Sequence, residues 1–270
     1  MFKPMDCNNM KNISILGSGW LGLPLTLELS KRYHIKISTT TVSKIQRLKM
    51  ENIIPYIVNI DDGISNDEFL DSDILIVNIP SKNIESFSRF VEKLKQSSIK
   101  KVIFISSTSV YKNTSKENAL LEIESLFTDI KNIKTTILRF SGLIGYDRNL
   151  VKYFQTKIVP NSKSLVNMIH RDDCINIINQ VIQKDIADEV FDCCASTHPT
   201  KEEFYTYCSE VSEYHLPQFD NKKGNDKVID NQKLKDILAY EFIYDDLLSI
   251  KYQKELTDFN KPYKTNCQQH

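Results

Sequence analysis

A glycine motif near the N-terminus constrains the fold of this chain more than any other feature. The apolar residues 13–16 run directly into Gly17, Gly19 and Gly22, which form a G-x-G-x-x-G motif. In a strand–turn–helix unit the first glycine allows a tight turn, the second lets the backbone approach a pyrophosphate, and the third lets the helix pack against the strand. The motif therefore predicts a turn that binds a dinucleotide.

The residues around the motif provide the context that it requires. Leucines recur from Leu21 to Leu29 and predict an apolar helix that ends near Ser30, while residues 35–39 predict a second strand. The chain contains only seven glycines, and three of them stand in the motif. A chance match in some other loop is therefore disfavoured.

Predicted strands and helices alternate along the following segment, as a doubly wound sheet requires. Residues 73–79 are almost wholly apolar, as expected of a central parallel strand that is buried on both faces. The pattern predicts an α/β fold with a doubly wound parallel Rossmann sheet. The further predicted strands are 53–60, 73–79, Lys101–Ser107 and Lys134–Phe140, and the predicted helices are 43–50 and 84–95.

The periodicity becomes more mixed from about Gly142 onward. This part predicts helices at 172–184, near 200–211 and near 231–238, and a short strand at 190–194. We therefore expect a dinucleotide-binding Rossmann domain at residues 11–141 and a smaller C-terminal α/β substrate lobe at residues 142–260. The prediction allows the chain to cross back to the sheet.

Composition limits the partners and the location. Lys plus Arg and Asp plus Glu number 35 each, so no global field favours nucleic acid or an anionic membrane. No apolar stretch approaches the roughly 20 residues that span a bilayer, and no signal-like segment begins the chain. A cytoplasmic protein with a small-molecule substrate, and without nucleic-acid or membrane partners, is expected. A homodimer is left open.

The cysteine pattern predicts neither a metal site nor a disulfide framework. The six cysteines include no C-x-x-C pair. Buried free thiols are the expected state. The cysteines are Cys7, Cys174, Cys193, Cys194, Cys208 and Cys267.

The predicted ligand site lies beyond the carboxyl ends of the strands, at the point where the strand order reverses. Residues 106–109 at the end of the fifth predicted strand, and Ser141 and Gly142 after the sixth, also lie at this edge of the sheet. The predicted cofactor-binding residues are Gly17, Ser18, Gly19, Trp20, Leu21, Gly22, Thr39, Thr40, Thr41, Asp61, Asn78, Ile79, Pro80 and Ser81.

The end of the second strand favours NADP over NAD as the cofactor. NAD sites usually carry Asp or Glu there, which binds the ribose hydroxyls and repels a 2′-phosphate. This chain has Ser and Thr at residues 38–41 and no acid before Glu51. Lys44 and Arg47 could bind a phosphate monoester, although a solvated helix face explains them equally well.

Together, five segments resemble the extended, epimerase/dehydratase-like short-chain dehydrogenase/reductase superfamily. The glycine motif at residues 17–22 is similar to the motif of an atypical bacterial branch of this superfamily. The order and spacing of the five segments extend the resemblance over roughly residues 11–245. The ISSTSVY segment is the most specific for the superfamily. The segments are GSGWLG at 17–22, NIPS at 78–81, ISSTSVY at 105–111, LRFSGLIG at 138–145 and NMIHRDD at 167–173.

The resemblance implies a catalytic hydroxyl but not a complete proton-transfer apparatus. A hydroxyl residue three positions before the Val-Tyr pair binds the substrate oxygen in the superfamily, which corresponds to Ser107, with Thr108 as its neighbour. A later Tyr-x-x-x-Lys pair acts as general acid and base there. In this chain the stretch 111–127 contains no second tyrosine. The usual pair is therefore absent.

Three hypotheses remain for the missing acid. Tyr111 could serve, aided by Lys112 or Lys116, although tyrosines at this position usually pack structurally. A carboxylate, Glu122 or Glu124, could act as base, or no proton transfer occurs. The chain does contain one Tyr-x-x-x-Lys pair, at Tyr153 and Lys157, but it follows the sixth strand and is interpreted as a coincidental helix face.

The NMIHRDD segment and Arg148 have structural interpretations. Asp172 or Asp173 is expected to cap a helix, and His170 to fix this corner of the second lobe rather than to act in catalysis. Arg148 could meet a substrate anion, but a surface arginine is the preferred interpretation.

The sequence thus predicts an NAD(P)-dependent oxidoreductase or epimerase/dehydratase-like enzyme for a small polar substrate, and leaves open whether that substrate is linked to a nucleotide. Hydride would pass between the nicotinamide and a carbon held near Ser107, with Tyr111 as the nearest phenol. The alternative is a non-catalytic NADP-binding sensor or scaffold, which the missing Tyr-x-x-x-Lys pair favours. A third interpretation, an S-adenosylmethionine-dependent methyltransferase, is disfavoured by the ISSTSVY segment.

Overall fold

The computed structural model of this 270-residue protein describes residues 10–63, 67–112 and 115–250, with the backbone only at 115–117. The strands are β1 (Asn12–Leu16), β2 (His34–Thr39), β3 (Ile53–Ile57), β4 (Ile74–Val77), β5 (Lys101–Ser107), β6 (Lys134–Phe140), β7 (Gly142–Ile144), β8 (Ile158–Val159), β9 (Met168–His170), β10 (Val190–Cys193) and β11 (Gln218–Phe219). The helices are α1 (Gly22–Leu29), α2 (Ile45–Leu48), α3 (Ile84–Leu94), α4 (Ser115–Thr128), α5 (Arg171–Gln183), α6 (Lys201–Glu210) and α7 (Gln232–Leu238).

Seven of the described strands form one parallel sheet in the order β3-β2-β1-β4-β5-β6-β10. All four residues of β4 are buried, as expected of a central strand covered by helices on both faces. The predicted doubly wound α/β sheet is confirmed. Its aromatic core includes Phe87 of α3, Phe104 of β5 and Phe127 of α4, whose ring centroids lie 4.9–6.0 Å apart.

The described chain divides into two compact units. The sheet unit comprises the described residues up to Ser141 together with Asp172–Cys194 and Ile229–Glu241. The second unit comprises Gly142–Arg171, Ala195–Val228 and the described residues from Phe242 onward. Strand β10 pairs with β6, so a segment from beyond residue 142 belongs to the sheet. Residues 251–260 of the predicted substrate lobe lie outside the described range.

The second unit has its own short strands and its own core. Strand β7 pairs with β9, and β8 pairs with β11, both in parallel. Helix α6 begins with a capping box, in which Thr200 and Glu203 each bond the backbone N–H of the other. The buried core residues include Ile144, Val159 and Phe204.

Several predicted boundaries were wrong by a few residues. The predicted helix 43–50 consists of a 3-10 turn, Val42–Lys44, followed by the single-turn α2. Strand β3 ends at Ile57 rather than at residue 60. Helix α5 begins at Arg171, so Asp172 and Asp173 lie in its first turn rather than at the N-cap. Carboxylates in the first turn still interact favourably with the helix dipole.

The described cysteines are buried thiols, as expected from burial of a small apolar side chain. Burial raises the pKa of the Cys174 and Cys193 thiols well above the ordinary value. Cys7 and Cys267 lie outside the described residues. The buried free cysteines are Cys174, Cys193, Cys194 and Cys208.

One carboxylate closes a loop of the second unit. Asp220 accepts backbone hydrogen bonds from Lys222, Asn161 and Ser162 at 2.9, 2.9 and 3.1 Å. These bonds lower the pKa of Asp220, and the bond from the Lys222 N–H has the largest effect. The ionised group therefore stabilises the fold above its unfolded pKa of about 3.9, and this contribution is lost as the pH falls through the folded pKa.

We expect Asp220→Asn to lower the thermal unfolding midpoint at pH 7, because the amide accepts these N–H groups less strongly than a carboxylate does. The difference from wild type should shrink as the pH falls below about 4. Thermal melts followed by circular dichroism between pH 3 and 7 measure it. Asp129→Asn, at an exposed aspartate of the sheet unit, is the control, and equal midpoints for wild type and Asp220→Asn at pH 7 would contradict the assignment.

Candidate functional site

A cavity of about 510 Å³ lies where the strand order reverses. Strands β2 and β4 flank β1 in the sheet, so the connections after β1 and β4 lead to opposite faces and leave a crevice at the carboxyl edge. The cavity is lined by the ends of β1, β2, β3 and β4. Its residues are Leu16, Gly17, Ser18, Gly19, Ser38, Thr39, Thr40, Lys44, Val58, Asn59, Ile60, Asp61, Ile79, Pro80 and Ser81.

The three glycines of the motif have different roles in this turn. Gly17 has φ +111°, and a Cβ there would lie 2.3 Å from the carbonyl oxygen of Asn78. A Cβ on Gly22 would lie 1.9 Å from the carbonyl oxygen of Gly17. A Cβ on Gly19 would meet nothing within 4 Å. The first and third glycines are therefore required by the protein itself, whereas the second leaves an open backbone surface on the cavity.

The end of β2 supports the turn and supplies polar groups to the cavity. Ser38, which is buried, accepts a hydrogen bond from the Gly17 N–H at 2.8 Å, so its hydroxyl oxygen is engaged. Thr39 accepts one from the Thr41 N–H at 3.2 Å. Thr40 and Lys44 are exposed and line the cavity, but Arg47 does not.

Nine of the fourteen predicted cofactor residues line this cavity, and five do not. The five are Trp20, Leu21, Gly22, Thr41 and Asn78. Leu21 and Gly22 are buried behind the turn, where they pack rather than face a ligand. The predicted set missed Ser38 and the wall formed by residues 58–60. The signal for these residues was their position at the carboxyl ends of β2 and β3.

Asp61 joins this wall to the start of α3. Its Oδ1 accepts a hydrogen bond from the Asn83 Nδ2 at 3.3 Å, and its carbonyl accepts one from Arg89 at 3.3 Å. Asn83 in turn caps α3 by accepting the Ser86 N–H at 3.2 Å. Asp61 therefore positions the cavity wall as well as bordering it.

The predicted catalytic residues lie at the end of β5 and just after it, and they are not among the residues that line this cavity. Ser107 ends β5, is partly exposed, and accepts the Ser109 N–H at 3.1 Å. The hydroxyl oxygens of Thr108 and Ser141 lie 3.3 Å apart. The ends of β5 and β6 thus bring three hydroxyl groups to the carboxyl edge of the sheet.

Tyr111 lies in the 3-10 turn Thr108–Lys112 that follows β5, and the residue is 42% exposed. Its hydroxyl donates to Asp192 Oδ2 at 2.6 Å and accepts from Arg139 Nη1 at 3.0 Å. Partial burial, the bond to Asp192 and its charge raise the pKa of Tyr111, while Arg139 opposes them. The cation beside this phenol is therefore Arg139. Lys112 is exposed, and the Lys116 side chain lies outside the described residues.

Glu124 is a paired carboxylate rather than an available base. It is buried on α4 and accepts three hydrogen bonds from Arg139, at 2.6, 3.1 and 3.2 Å, and one from Ser106. Burial alone would lower the pKa of Arg139, but the bonds and charge of Glu124 outweigh it and raise the pKa. The other candidate, Glu122, is exposed on α4.

In the second unit, His170 packs within an aromatic cluster. Its ring centroid lies 3.8 Å from that of Tyr244 and 5.5 Å from that of Tyr146, and the side chain is buried. Gly145 has φ +113°, and a Cβ there would lie 2.3 Å from the imidazole Nε2. These contacts support the structural interpretation of His170.

The Tyr153 and Lys157 pair does not lie on one helix face. Tyr153 belongs to the 3-10 turn Leu150–Phe154, and Lys157 follows that turn. Among the described residues, no cluster of three or more His, Cys, Asp or Glu could hold a metal ion. None of the helices in the described ranges is long and apolar enough to cross a membrane.

Comparison with known proteins assigns the family. No family model matches the chain. Protein YeeZ of Escherichia coli K12 is 30% identical over 269 residues, which cover 88% of this chain and 98% of YeeZ. The chain belongs to the YeeZ family. The YeeZ protein of E. coli O157:H7 matches with the same identity and coverage.

Solved structures confirm the fold. One of them is a Methylobacillus flagellatus protein described as an NAD-dependent epimerase/dehydratase. It superposes with a TM-score of 0.74 at 22% identity, over 94% of this chain and 100% of that one. UDP-glucuronic acid 4-epimerase of Bacillus cereus, solved with UDP-glucuronic acid and NAD, superposes with a TM-score of 0.74 at 19% identity. The match covers 90% of this chain and 98% of the epimerase chain. The chain has the fold of the extended short-chain dehydrogenase/reductase superfamily, as its motifs predicted.

Proposed function

We propose that this YeeZ-family protein binds a nicotinamide dinucleotide in the cavity beside Gly19 and uses it in an oxidoreductase or epimerase-type reaction. The observation that carries the proposal is the open backbone at Gly19, at the switch point between β1 and β4. The N–H groups of such a turn suit a pyrophosphate. The residues present therefore fit the cofactor.

We propose a nucleotide-linked sugar as the substrate class. The support is that the superposed B. cereus enzyme is described with UDP-glucuronic acid and NAD. The bound dinucleotide would exchange hydride with a substrate carbon. The side chains of this protein would do the rest: Ser107 would hold the reacting oxygen, and Tyr111 would hold the proton. The second unit would serve as the substrate lobe.

NADP is the preferred cofactor in this proposal. The β2 end presents Thr40 and Lys44 to the cavity, and no carboxylate follows β2 before Glu51. A carboxylate at that place would repel a 2′-phosphate, whereas an ammonium group attracts it. The homodimer and the cytoplasmic location stay predictions.

We expect Lys44→Gln to weaken NADPH binding by about 1.5–3 kcal/mol, the value of a charge-assisted hydrogen bond, and to leave NADH binding unchanged. Titration of the fluorescence of Trp20, the only tryptophan of the chain, measures both affinities. Arg47→Gln is the matched control, because Arg47 follows Lys44 closely but does not line the cavity. Equal or better affinity of the wild type for NADH would overturn the preference.

A non-catalytic NADP-binding sensor remains the second candidate function. It is favoured by α4, which contains no tyrosine, and by the two bonds that already engage the Tyr111 hydroxyl. Assays of UDP-glucuronic acid and UDP-glucose with either oxidised cofactor distinguish the candidates: absorbance at 340 nm detects net oxidation of the sugar, and NMR of the products detects epimerisation, which leaves no reduced cofactor. Cofactor binding without any turnover would favour the sensor.

A further inference from the structure

Three polar side chains form a row across neighbouring strands of the sheet unit. Ser106 of β5 is in register with Arg139 of β6, and Arg139 is in register with Asp192 of β10. Registered residues of adjacent strands project from the same face of a sheet. Glu124 of α4 contacts Ser106 and Arg139 on that face. The row therefore runs from Ser106, beside the buried carboxylate of Glu124, to Asp192 on the edge strand β10.

Arg139 is fixed in this row and reaches Tyr111 from it. Its Nε and Nη2 donate to Glu124, which leaves Nη1 to donate to the Tyr111 hydroxyl at 3.0 Å. A guanidinium held by a carboxylate through three bonds has little freedom to move. The Tyr111 oxygen therefore has a cationic donor on one side and, at 2.6 Å, the Asp192 carboxylate as acceptor of its proton.

Two features of the contact between Tyr111 and Asp192 are poorly explained if the contact only stabilises the fold. Tyr111 is 42% exposed, yet its hydroxyl is bonded to a charged pair, Arg139 and Asp192. The Oδ1 atom of Asp192 is buried and accepts no hydrogen bond in the described part of the chain. An unpaired buried carboxylate oxygen is unfavourable, and that cost falls when the carboxyl group takes up a proton.

We propose that Tyr111 and Asp192 form a proton relay for the substrate hydroxyl, with Arg139 as its positioning residue. This proposal rests on the proposed function. When a substrate alcohol is oxidised, its O–H bond breaks and the proton passes to the Tyr111 oxygen, while the phenolic proton passes to Asp192 Oδ2. Hydride leaves the same carbon for the bound oxidised nicotinamide dinucleotide, and a carbonyl remains. Tyr111 is neutral before and after the step, and Asp192 becomes a neutral acid.

The first test measures the coupling in the free protein. In protein labelled with 13C at tyrosine Cζ, the Tyr111 signal is the one lost in Tyr111→Phe. We expect Asp192→Asn to lower the pH midpoint of this signal by about one unit or more, because Asp192 favours the neutral phenol and Arg139 the ionised one. The Tyr153 signal, from the second unit, should not move. An unchanged Tyr111 midpoint in a folded Asp192→Asn or Asp192→Ser protein would overturn the relay.

The second test separates a relay from an anchor. The Tyr111 midpoint is measured with NADP+ and with NADPH, while Trp20 fluorescence reports that each is bound. A relay beside the nicotinamide should titrate at lower pH with NADP+, whose ring is positive, than with NADPH. Equal midpoints with both cofactors bound would overturn the relay alone. Failure to bind NADP(H) or NAD(H) would overturn the proposed function and the relay together.

Discussion

Tyr111→Phe should lower the rate of cofactor reduction with a nucleotide sugar by roughly 10²–10⁴-fold, the usual contribution of general acid–base catalysis. Tyr111 is exposed and its phenol oxygen lies between Arg139 and Asp192, so the hydroxyl is the proton-carrying group that the variant removes. Cofactor affinity should stay near that of the wild type, because the hydroxyl acts in the transition state. Initial rates at 340 nm and Trp20 fluorescence measure the two quantities.

Tyr153→Phe is the matched control for this prediction. Tyr153 is also exposed and has a lysine four residues later, but it belongs to the second unit and its lysine lies beyond the 3-10 turn. Its rate should equal that of the wild type. A Tyr111→Phe protein that retains the full rate would show that another group carries the proton.

Gly19→Val should fold like the wild type and bind NADPH roughly 5- to 150-fold more weakly, which corresponds to a cost of about 1–3 kcal/mol for overpacking a tight contact. Apart from its two neighbours in the chain, no atom of the described residues lies within 4 Å of a Cβ at this position, so the substitution extends into the space proposed for the pyrophosphate. Trp20 fluorescence gives the affinity, and thermal melts give the stability.

Two further glycine variants make this prediction specific. Gly17→Ala and Gly22→Ala would place a Cβ 2.3 Å and 1.9 Å from backbone oxygens, so both should destabilise the turn itself. Gly19→Ala should weaken NADPH less than Gly19→Val does, because a single methyl group is smaller. Unchanged affinity in a folded Gly19→Val protein would exclude this turn as the pyrophosphate site.

The cavity at the switch point was largely predictable, because its determinants are local. The turn after β1 needs glycines where φ is positive or where backbones touch, and the sequence shows them at Gly17 and Gly22. The strand patterns also placed Asp61 and residues 79–81 at one edge, where they border the cavity. The role of Ser38 was missed because its hydrogen bond to Gly17 joins residues 21 positions apart.

The surroundings of the candidate catalytic residues depended on contacts that no sequence spacing encodes. The prediction gave Tyr111 the partners Lys112 or Lys116, which are its neighbours in sequence. Its observed partners are Arg139 and Asp192, which are 28 and 81 residues away. Likewise, Glu124 was a candidate base in the sequence, yet it is buried against Arg139 and paired with it.

The sequence by itself determined the Rossmann sheet, the glycine turn and the absence of the usual Tyr-x-x-x-Lys pair from α4, because these follow from residue type and short-range periodicity. Only the tertiary structure decided which charges face Tyr111 and which hydroxyls are already engaged. Strands far apart in the chain become neighbours in a parallel sheet, and their register sets which side chains meet. For this chain, the register of β5, β6 and β10 brings Ser106, Arg139 and Asp192 into one row.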